Sequence, residues 1–291
     1  MSRRLRAEHR LGWLLAAPAV VSMLLVTAYP MLYSVWLSLF RYDLRFPEER
    51  RFIGLGNYTS VLGSDVWWQS LANTLVITAG SVFVELVFGF AFALLMHRAL
   101  AGRRVVRTSL LVPYGIITVV AAMSWRFAFD PTTGFVNALL GLEGDWLSER
   151  GSAFFVIIQT EIWKTTPFMA LMLLAGLTLV PLDLVRAARV DGANAFQRFV
   201  GVTLPLMRPV ILVALLFRTL DAFRIFDTVF VQTRGAQGTE SVSLVGYNTL
   251  ITRLNLGLGS AVSVLIFVAV LVIAVVYIRG FGIDLPRREH S

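Results

Sequence analysis

The sequence is poor in the residues that most catalytic and metal sites require. Its 291 residues include no cysteine, which excludes disulfide bonds, thiolate metal sites and cysteine nucleophiles. The three histidines, His9, His97 and His290, lie too far apart in the chain to give a metal-ligand spacing. Charge is scarce as well: 15% of the residues are charged, against about a quarter in a typical soluble domain. Because 57% of the residues are apolar, more than a soluble core can bury, the composition indicates a multi-pass membrane protein.

The basic excess does not mark a nucleic-acid-binding surface. Lysine and arginine number 26 against 18 acidic residues, but the cations stand between long apolar runs rather than on one basic face. The chain also lacks the G-x-x-x-x-G-K-[ST] pattern of ATP-binding loops, and its single lysine, Lys164, lies within an apolar stretch. We therefore expect this chain neither to bind nucleic acid nor to hydrolyse ATP.

Six apolar stretches are long enough to cross a bilayer as helices, since a crossing takes about 20 apolar residues. They cover approximately residues 11–40, 71–97, 108–129, 152–180, 210–232 and 258–278. The first follows a basic segment like that of a secretory signal, but its apolar run is longer than the roughly 7–15 residues of a signal core. We therefore expect a retained span that bends or breaks near Pro18 and Pro30.

The distribution of arginine predicts the orientation of the spans. Segments 1–10, 98–107, 181–209 and 279–291 hold 15 arginines, and the three loops on the opposite side hold seven. Positive charge favours the cytoplasmic side, so both termini are expected there, in agreement with an even number of crossings. The sequence shows no long linker or internal repeat, and residues 1–291 are expected to form a single integral-membrane domain.

The fifth span carries charges that lipid does not tolerate. Arg218, Asp221, Arg224 and Asp227 recur every three residues, and each costs about 2.5–3.5 kcal/mol in hydrocarbon. On a continuous helix the four side chains would sweep half of the circumference, with neighbours close enough to pair. This span must therefore line a protein interior or an aqueous path.

Other spans carry charges too, and Glu85, Arg126, Glu161 and Lys164 complete a set of four positive and four negative interior residues. One explanation is internal ion pairing that fixes helix packing, and the other is a polar pathway through the bilayer. Polar groups beside aromatic rings suit sugars, whose hydroxyls need donors and acceptors while their C–H faces lie against rings. The rings near these charges belong to Tyr114, Trp163 and Phe168.

The cytoplasmic segment 181–209 has apolar positions of its own at helical spacing. Asp183 favours a helix start, Gly192 a turn between two short helices, and Pro205 the end of the second helix. Such a segment needs a surface to bury against. On physical grounds this surface is either a partner protein or the lipid interface, where the arginines would favour anionic headgroups.

This segment also carries a recognisable signature. It contains Ala187-Ala188-x-x-Asp191-Gly192-Ala193, followed by Phe199 and Thr203-Leu204-Pro205. The pattern resembles the "EAA" loop of the permeases of binding-protein-dependent ABC sugar importers. Residues 52–58, 71–75 and 112–114 are similar to other segments of that family.

In that family the loop forms coupling helices that dock in a groove of the ATP-binding subunit. The coupling positions that the resemblance implies here are Arg186, Ala187, Ala188, Asp191, Gly192, Ala193 and Phe199. Arg186 departs from the pattern, because the family usually has glutamate at this position. The departure puts an acid-mediated contact in doubt but not the docking itself.

The resemblance implies an all-α integral membrane fold, namely the six-helix permease fold of type I ABC importers. It also implies a sugar substrate, with the disaccharide trehalose as the expected one, bound between the third, fourth and fifth spans. The substrate-binding positions carried over from the family are Tyr114, Thr118, Glu161, Thr165, Phe168, Leu220, Asp221 and Arg224. No catalytic residue and no metal ligand is implied.

The same resemblance implies the partners. They are a second permease subunit, a dimer of ATP-binding subunits and an extracytoplasmic sugar-binding lipoprotein, in the lipid of a bacterial cytoplasmic (inner) membrane. ATP and Mg²⁺ would be held by the ATP-binding partner, so no cofactor is expected in this chain. Two other classes stay open: an ion-coupled secondary transporter that uses the charges of the fifth span as a proton relay, and a membrane enzyme that acts on lipid-linked sugars.

Overall fold

The computed structural model describes residues 3–97 and 103–280, where nearly all regular structure is helical. The helices are α1 (Arg3–Met23), α2 (Tyr29–Ser38), α3 (Gly56–Leu62), α4 (Asp65–His97), α5 (Arg103–Gly115), α6 (Thr118–Ala128), α7 (Phe135–Leu140), α8 (Arg150–Leu179), α9 (Leu182–Val190), α10 (Ala195–Arg198), α11 (Leu204–Ala222), α12 (Asp227–Gln232), α13 (Val242–Tyr247) and α14 (Leu256–Gly280). Strands β1 (Phe40–Arg41) and β2 (Arg51–Phe52) form an antiparallel ribbon. Shorter helical turns are of the π type at Leu24–Ala28, Phe199–Thr203 and Asn248–Thr252, and of the 3-10 type at Pro47–Glu49 and Ala236–Gly238.

The contacts within the chain define two compact units. The first comprises the residues up to Ser64 together with Gly246–Phe267. In it, the buried side-chain amide of Asn57 donates to the carbonyl oxygens of Ser38 and Phe40, at 2.8 Å each, and so ties α3 to the end of α2 and to the ribbon. Gly257 passes so close to this ribbon that a Cβ atom would lie 2.1 Å from the carbonyl oxygen of Phe40, which makes glycine obligatory there.

The second unit comprises Asp65–Val245 and the chain from Val268 onward. Helices α4, α8 and α11 form its core, where Met169 and Leu173 of α8 are fully buried with Ala93 of α4 and Ala214 of α11. Gly89 lets α4 approach α8 closely, because a Cβ atom at this position would meet Met169 at 2.6 Å. Small residues at such crossings are typical of membrane helices, which gain little from apolar burial and associate through close packing.

Within residues 3–97 and 103–280, length and hydropathy identify five helices that could cross a membrane, or six if one bent pair counts as a single span. The five are Gly12–Ser38, Asp65–His97, Arg150–Leu179, Ala195–Gln232 and Leu256–Gly280, and the bent pair is Thr108–Gly115 with Thr118–Ala128. The two halves of this pair meet at 99°, so the third predicted span is not a straight helix. The bend follows from Ile117, whose extended backbone (ψ 136°) separates α5 from α6.

The fifth predicted span is interrupted. Helix α11 ends at Ala222 and α12 begins at Asp227, so the expectation of one continuous helix carrying all four charges is wrong. Arg218 and Asp221 share the last turns of α11, whereas Arg224 lies in the non-helical connection. Asp227 stands instead in the first turn of α12, where the positive end of the helix dipole favours an acid.

Two of the proline predictions also need correction. Pro205 does not end a helix: the π turn leads from α10 into α11, and Pro205 occupies the first turn of α11, where a missing N–H costs little. Pro18 lies inside α1 without a break, and the first span changes instead at the π turn just before Pro30. The two-helix form predicted for residues 181–209 is confirmed, since α9 and α10 flank Gly192, which has the left-handed conformation (φ 85°).

Residues 1–2, 98–102 and 281–291, some of whose arginines entered the orientation argument, lie outside the described residues. The predicted cytoplasmic position of both termini therefore stays a prediction.

Candidate functional site

A buried arginine stands at the centre of the second unit. The side chain of Arg218, on α11, is 1% exposed, and that of Glu85, on α4, is fully buried. The guanidinium donates from Nε to Oε2 of Glu85 at 2.6 Å and from Nη2 to Oε1 at 3.0 Å. This contact is bidentate: two N–H groups of the planar guanidinium donate to the two carboxylate oxygens, and this fixes the plane of the guanidinium.

The same guanidinium serves two further carboxylates. Its Nη2 donates to Oε2 of Glu161 on α8 at 3.1 Å, and its Nη1 donates to Oδ2 of Asp221 on α11 at 2.8 Å. Arg218 thus makes four hydrogen bonds to three acids from three helices. Because an unpaired charge in a membrane interior is strongly unfavourable, these contacts explain how α4, α8 and α11 can carry ionisable groups at their crossing.

Hydroxyl groups complete this network. Thr228 of α12 donates to Oε1 of Glu161 at 2.5 Å. The hydroxyl of Thr165 lies 2.8 Å from Oε1 of Glu85 and 2.6 Å from the carbonyl oxygen of Glu161, and its single proton can serve one of them at a time. The Arg218 network, as we call Glu85, Glu161, Thr165, Arg218, Asp221 and Thr228, therefore joins four helices through polar contacts.

Two cavities adjoin the Arg218 network, with volumes of about 360 and 450 Å³, within the range of small-molecule sites. Residues that line both are Tyr114, Thr165, Asp221 and Arg224. The smaller cavity adds Phe168, Phe217, Arg218 and Leu220, and the larger adds Thr118, Glu161, Lys164, Ile225, Phe226, Asp227 and Thr228. The structure thus brings all eight predicted substrate-binding positions to the walls of these cavities.

The two cavities differ in chemistry. In the smaller one, the rings of Tyr114 and Phe168 stack with their centres 5.8 Å apart and offer an apolar face. In the larger one, the ammonium group of Lys164 lies 5.8 Å from the centre of the Tyr114 ring, and Arg224 and Asp227 add charge of both signs. Donors, acceptors and rings in one place can bind a polyhydroxylated solute, whose faces are apolar and whose edges form hydrogen bonds.

Several lining residues were not predicted as site residues. Lys164, Arg218 and Asp227 were recognisable as charges within spans, but their spacing alone did not assign them to a cavity. Phe217, Ile225, Phe226 and Thr228 gave no signal, because ordinary apolar residues and one threonine are common in any span. Trp163, one of the rings considered for a sugar, lines a different, apolar cavity of about 670 Å³ and packs edge-on against Trp125.

The segment 181–209 presents a surface that is partly apolar. Val190 is 88% exposed and Phe196 is 74% exposed, although both are large and hydrophobic. The side chain of Asn194 accepts from the backbone N–H of Gln197, and the side chain of Gln197 accepts from that of Asn194, so this capping box fixes the start of α10. The segment is therefore well formed while it leaves apolar side chains uncovered.

The predicted coupling positions are distributed over this segment. Arg186, Ala187, Asp191 and Gly192 are exposed, and Ala188 and Ala193 are partly covered. Arg186 pairs with Asp183 at 3.2 Å on the surface of α9. Phe199 is half-buried and packs edge-on against Phe90 of α4, with ring centres 5.6 Å apart, so it connects the segment to α4.

Comparison with known proteins finds a family model and relatives that are all described as parts of transport systems. The family model described as binding-protein-dependent transport system inner membrane component matches residues 85–281. The trehalose transport system permease protein SugA of Mycobacterium tuberculosis is 53% identical, over 98% of this chain and 93% of that protein. The trehalose/maltose transport system permease protein MalF of Thermococcus litoralis is 41% identical over 94% of each chain.

A solved structure shares the fold. It is a bacterial alginate ABC transporter in complex with an alginate pentasaccharide-bound periplasmic protein. The matched chain superposes with a TM-score of 0.81 at 22% identity, covering 95% of this chain and 96% of that one. This chain therefore has the fold of the matched chain of that transporter.

We expect the folded state to depend on the buried ion pairs of the Arg218 network. The change Arg218→Ala leaves Glu85 and Glu161 buried without their cation. It should lower the free energy of unfolding by about 3–5 kcal/mol, which is enough to prevent recovery of folded protein. The matched control is Arg186→Ala, since its ion pair with Asp183 is exposed and worth about 0–1 kcal/mol. The measurement is the yield of monodisperse protein after solubilisation; equal yields for both variants would contradict the buried network.

Proposed function

Because the chain belongs to the family of binding-protein-dependent transport system inner membrane components, we propose that it is a permease subunit of an ATP-driven importer of trehalose. The family membership confirms the resemblance seen in the sequence, and it makes the chain a transport subunit and not an enzyme. The observation that carries the choice of sugar is the 53% identity, along nearly the whole chain, to a protein named as a trehalose permease. The stacked rings and paired charges around the two cavities support a sugar-binding role.

The proposed topology has six spans in one permease domain. The pair α5 and α6 counts as one crossing, bent at Ile117, which brings the number to six. Both termini then lie on the cytoplasmic side of a bacterial inner membrane, together with α9 and α10. The excess of arginine in the segments assigned to that side supports this orientation.

The proposed assembly contains a second permease, a dimer of ATP-binding subunits and an extracytoplasmic lipoprotein that delivers the sugar. This chain holds no cofactor in the proposal, because ATP and Mg²⁺ are bound by the ATP-binding partner. Helices α9 and α10 dock on that partner through the exposed face that includes Val190 and Phe196. Closure of the ATP-binding dimer moves this segment, and α11 follows because it continues from α10 through the π turn.

The eight predicted positions hold the sugar in this mechanism. The rings of Tyr114 and Phe168 cover the C–H face of a sugar ring, while Thr118, Asp221 and Arg224 exchange hydrogen bonds with hydroxyls. Glu161, Thr165 and Leu220 complete the walls. Import follows if ATP stabilises the outward-open state more than the inward-open one, so that each ATP cycle exposes the cavities first to one side and then to the other.

Reconstitution of the whole importer tests this function. Proteoliposomes that contain both permeases and the ATP-binding dimer should accumulate labelled trehalose only with the lipoprotein outside and ATP inside. A protonophore should leave the rate unchanged, since no ion gradient drives the step. Uptake that persists without ATP and stops with the protonophore would support an ion-coupled secondary transporter instead. If the complete system with ATP and the lipoprotein does not accumulate labelled trehalose, the proposed substrate is refuted.

A substitution in the cytoplasmic segment tests the coupling. Gly192→Trp places a large side chain in the exposed turn. The backbone at this position has a left-handed conformation (φ 85°), which is unfavourable for residues other than glycine. We expect at least a tenfold loss of co-purified ATP-binding subunit and a matching loss of uptake, which corresponds to about 1.4 kcal/mol of binding energy. The control is Gly151→Trp, at a position in α8 with equally open space. Normal recovery of the ATP-binding subunit with Gly192→Trp would refute the docking surface.

A further inference from the structure

We propose that Arg218 is a positioning residue, anchored by Glu85, which aims the carboxylate of Asp221 into the cavities as an acceptor for sugar hydroxyls. The inference rests on the proposed function and adds to it a role for two residues that no sugar needs to touch. Glu85 lines neither cavity, so any effect it has on the substrate must pass through its partners, of which Arg218 holds both of its carboxylate oxygens and Thr165 contacts one.

Side-chain exposure increases along the network from Glu85 through Arg218 to Asp221. The side chain of Glu85 is 0% exposed, that of Arg218 is 1% exposed, and that of Asp221 is 67% exposed. The network therefore runs from the helix-packed interior to the cavity wall. The two hydrogen bonds to Glu85 fix the plane of the guanidinium, and with it the direction in which Nη1 meets Oδ2 of Asp221 at 2.8 Å.

The carboxylate of Asp221 is stabilised by Arg218 and not by its own helix. It stands in the last turn of α11, where the negative end of the helix dipole disfavours an acid, so the helix does not stabilise this carboxylate. The guanidinium one turn earlier supplies the missing stabilisation through a single oxygen, Oδ2. Among the residues that the structure describes, none donates a hydrogen bond to the other oxygen, Oδ1.

The chemistry that follows is specific. An ionised carboxylate only accepts hydrogen bonds, so Asp221 recognises a donor, and sugar hydroxyls are donors. A carboxylate held at one oxygen presents the other in a fixed direction, which selects a hydroxyl at one place on the sugar ring. If Arg218 served packing alone, its replacement would affect all sugars equally.

The variant Arg218→Lys separates these roles. Lysine keeps the charge among the acids but lacks the planar fork, so it cannot hold Glu85 and orient Asp221 at once. In proteoliposomes with the complete importer, we expect the KM for trehalose to rise about tenfold while the maximal rate stays within about twofold. The exposed Arg253→Lys, at a position that lines neither cavity, is the matched control and should leave both parameters unchanged.

Monodeoxy trehaloses, each lacking one hydroxyl, provide the decisive readout. Wild type should discriminate against one of them most strongly, and both Asp221→Ala and Arg218→Lys should reduce discrimination at that same hydroxyl. The double variant should be no worse than Asp221→Ala alone, because the two residues act as one unit. Additive losses, or an unchanged ratio between trehalose and every analogue, would overturn the proposal.

Two safeguards keep the outcomes distinct. If Arg218→Lys is poorly folded, Glu85→Gln is measured instead; it keeps an acceptor oxygen, alters only a residue outside the cavities, and should shift the same analogue ratio. If it does not, positioning by Arg218 is refuted. Failure of the proposed function appears separately, in the wild-type importer: should that import another sugar, the same variants are compared on that sugar and its deoxy analogues.

Discussion

The cost of placing a charge inside a bilayer-spanning protein is the constraint on which this structure depends. Arg218 is almost wholly buried between helices long enough to span a membrane, and within the described part of the chain its ion pairs are with carboxylates from three helices. Glu85 and Glu161 are equally dependent on the arginine, because a buried carboxylate without a partner is as unfavourable as a buried cation. The crossing of α4, α8 and α11 is therefore specified by polar contacts as well as by close packing.

The same constraint links the fold to transport. The network is not sealed on all sides, since Asp221 extends from it into cavities that also contain Arg224 and the rings of Tyr114 and Phe168. The two explanations that the sequence left open, internal pairing and a polar path, thus apply to neighbouring residues of one network. Ion pairs stabilise the buried residues of the network, and its exposed residue, Asp221, lines both cavities. Helix α11, which carries Arg218 and Asp221, continues from α10 through the π turn at Phe199–Thr203.

Sequence reasoning was strongest where local composition decides the outcome. The lengths of the apolar runs predicted the long helices, and Gly192 predicted the turn between α9 and α10. Sequence reasoning failed where backbone geometry depends on tertiary contacts. It missed the break after Ala222 and the bend at Ile117, and it placed Pro205 at the end of a helix although Pro205 lies in the first turn of α11. The pairing of Arg218 with Glu85 could not be predicted from the sequence either, since Glu85 lies 133 residues away and the spans contain three other acids.

Thiol accessibility tests the central claim most directly, because the chain has no native cysteine. In the complete importer during ATP turnover, Leu220→Cys should react with a membrane-impermeant thiol reagent, and trehalose should slow this reaction. Its reaction rate is compared with that of Leu173→Cys, in the fully buried core, by mass spectrometry of the labelled peptide. A rate at Leu220→Cys as low as that at Leu173→Cys, or one that the sugar does not change, would contradict a solute-binding cavity beside the Arg218 network.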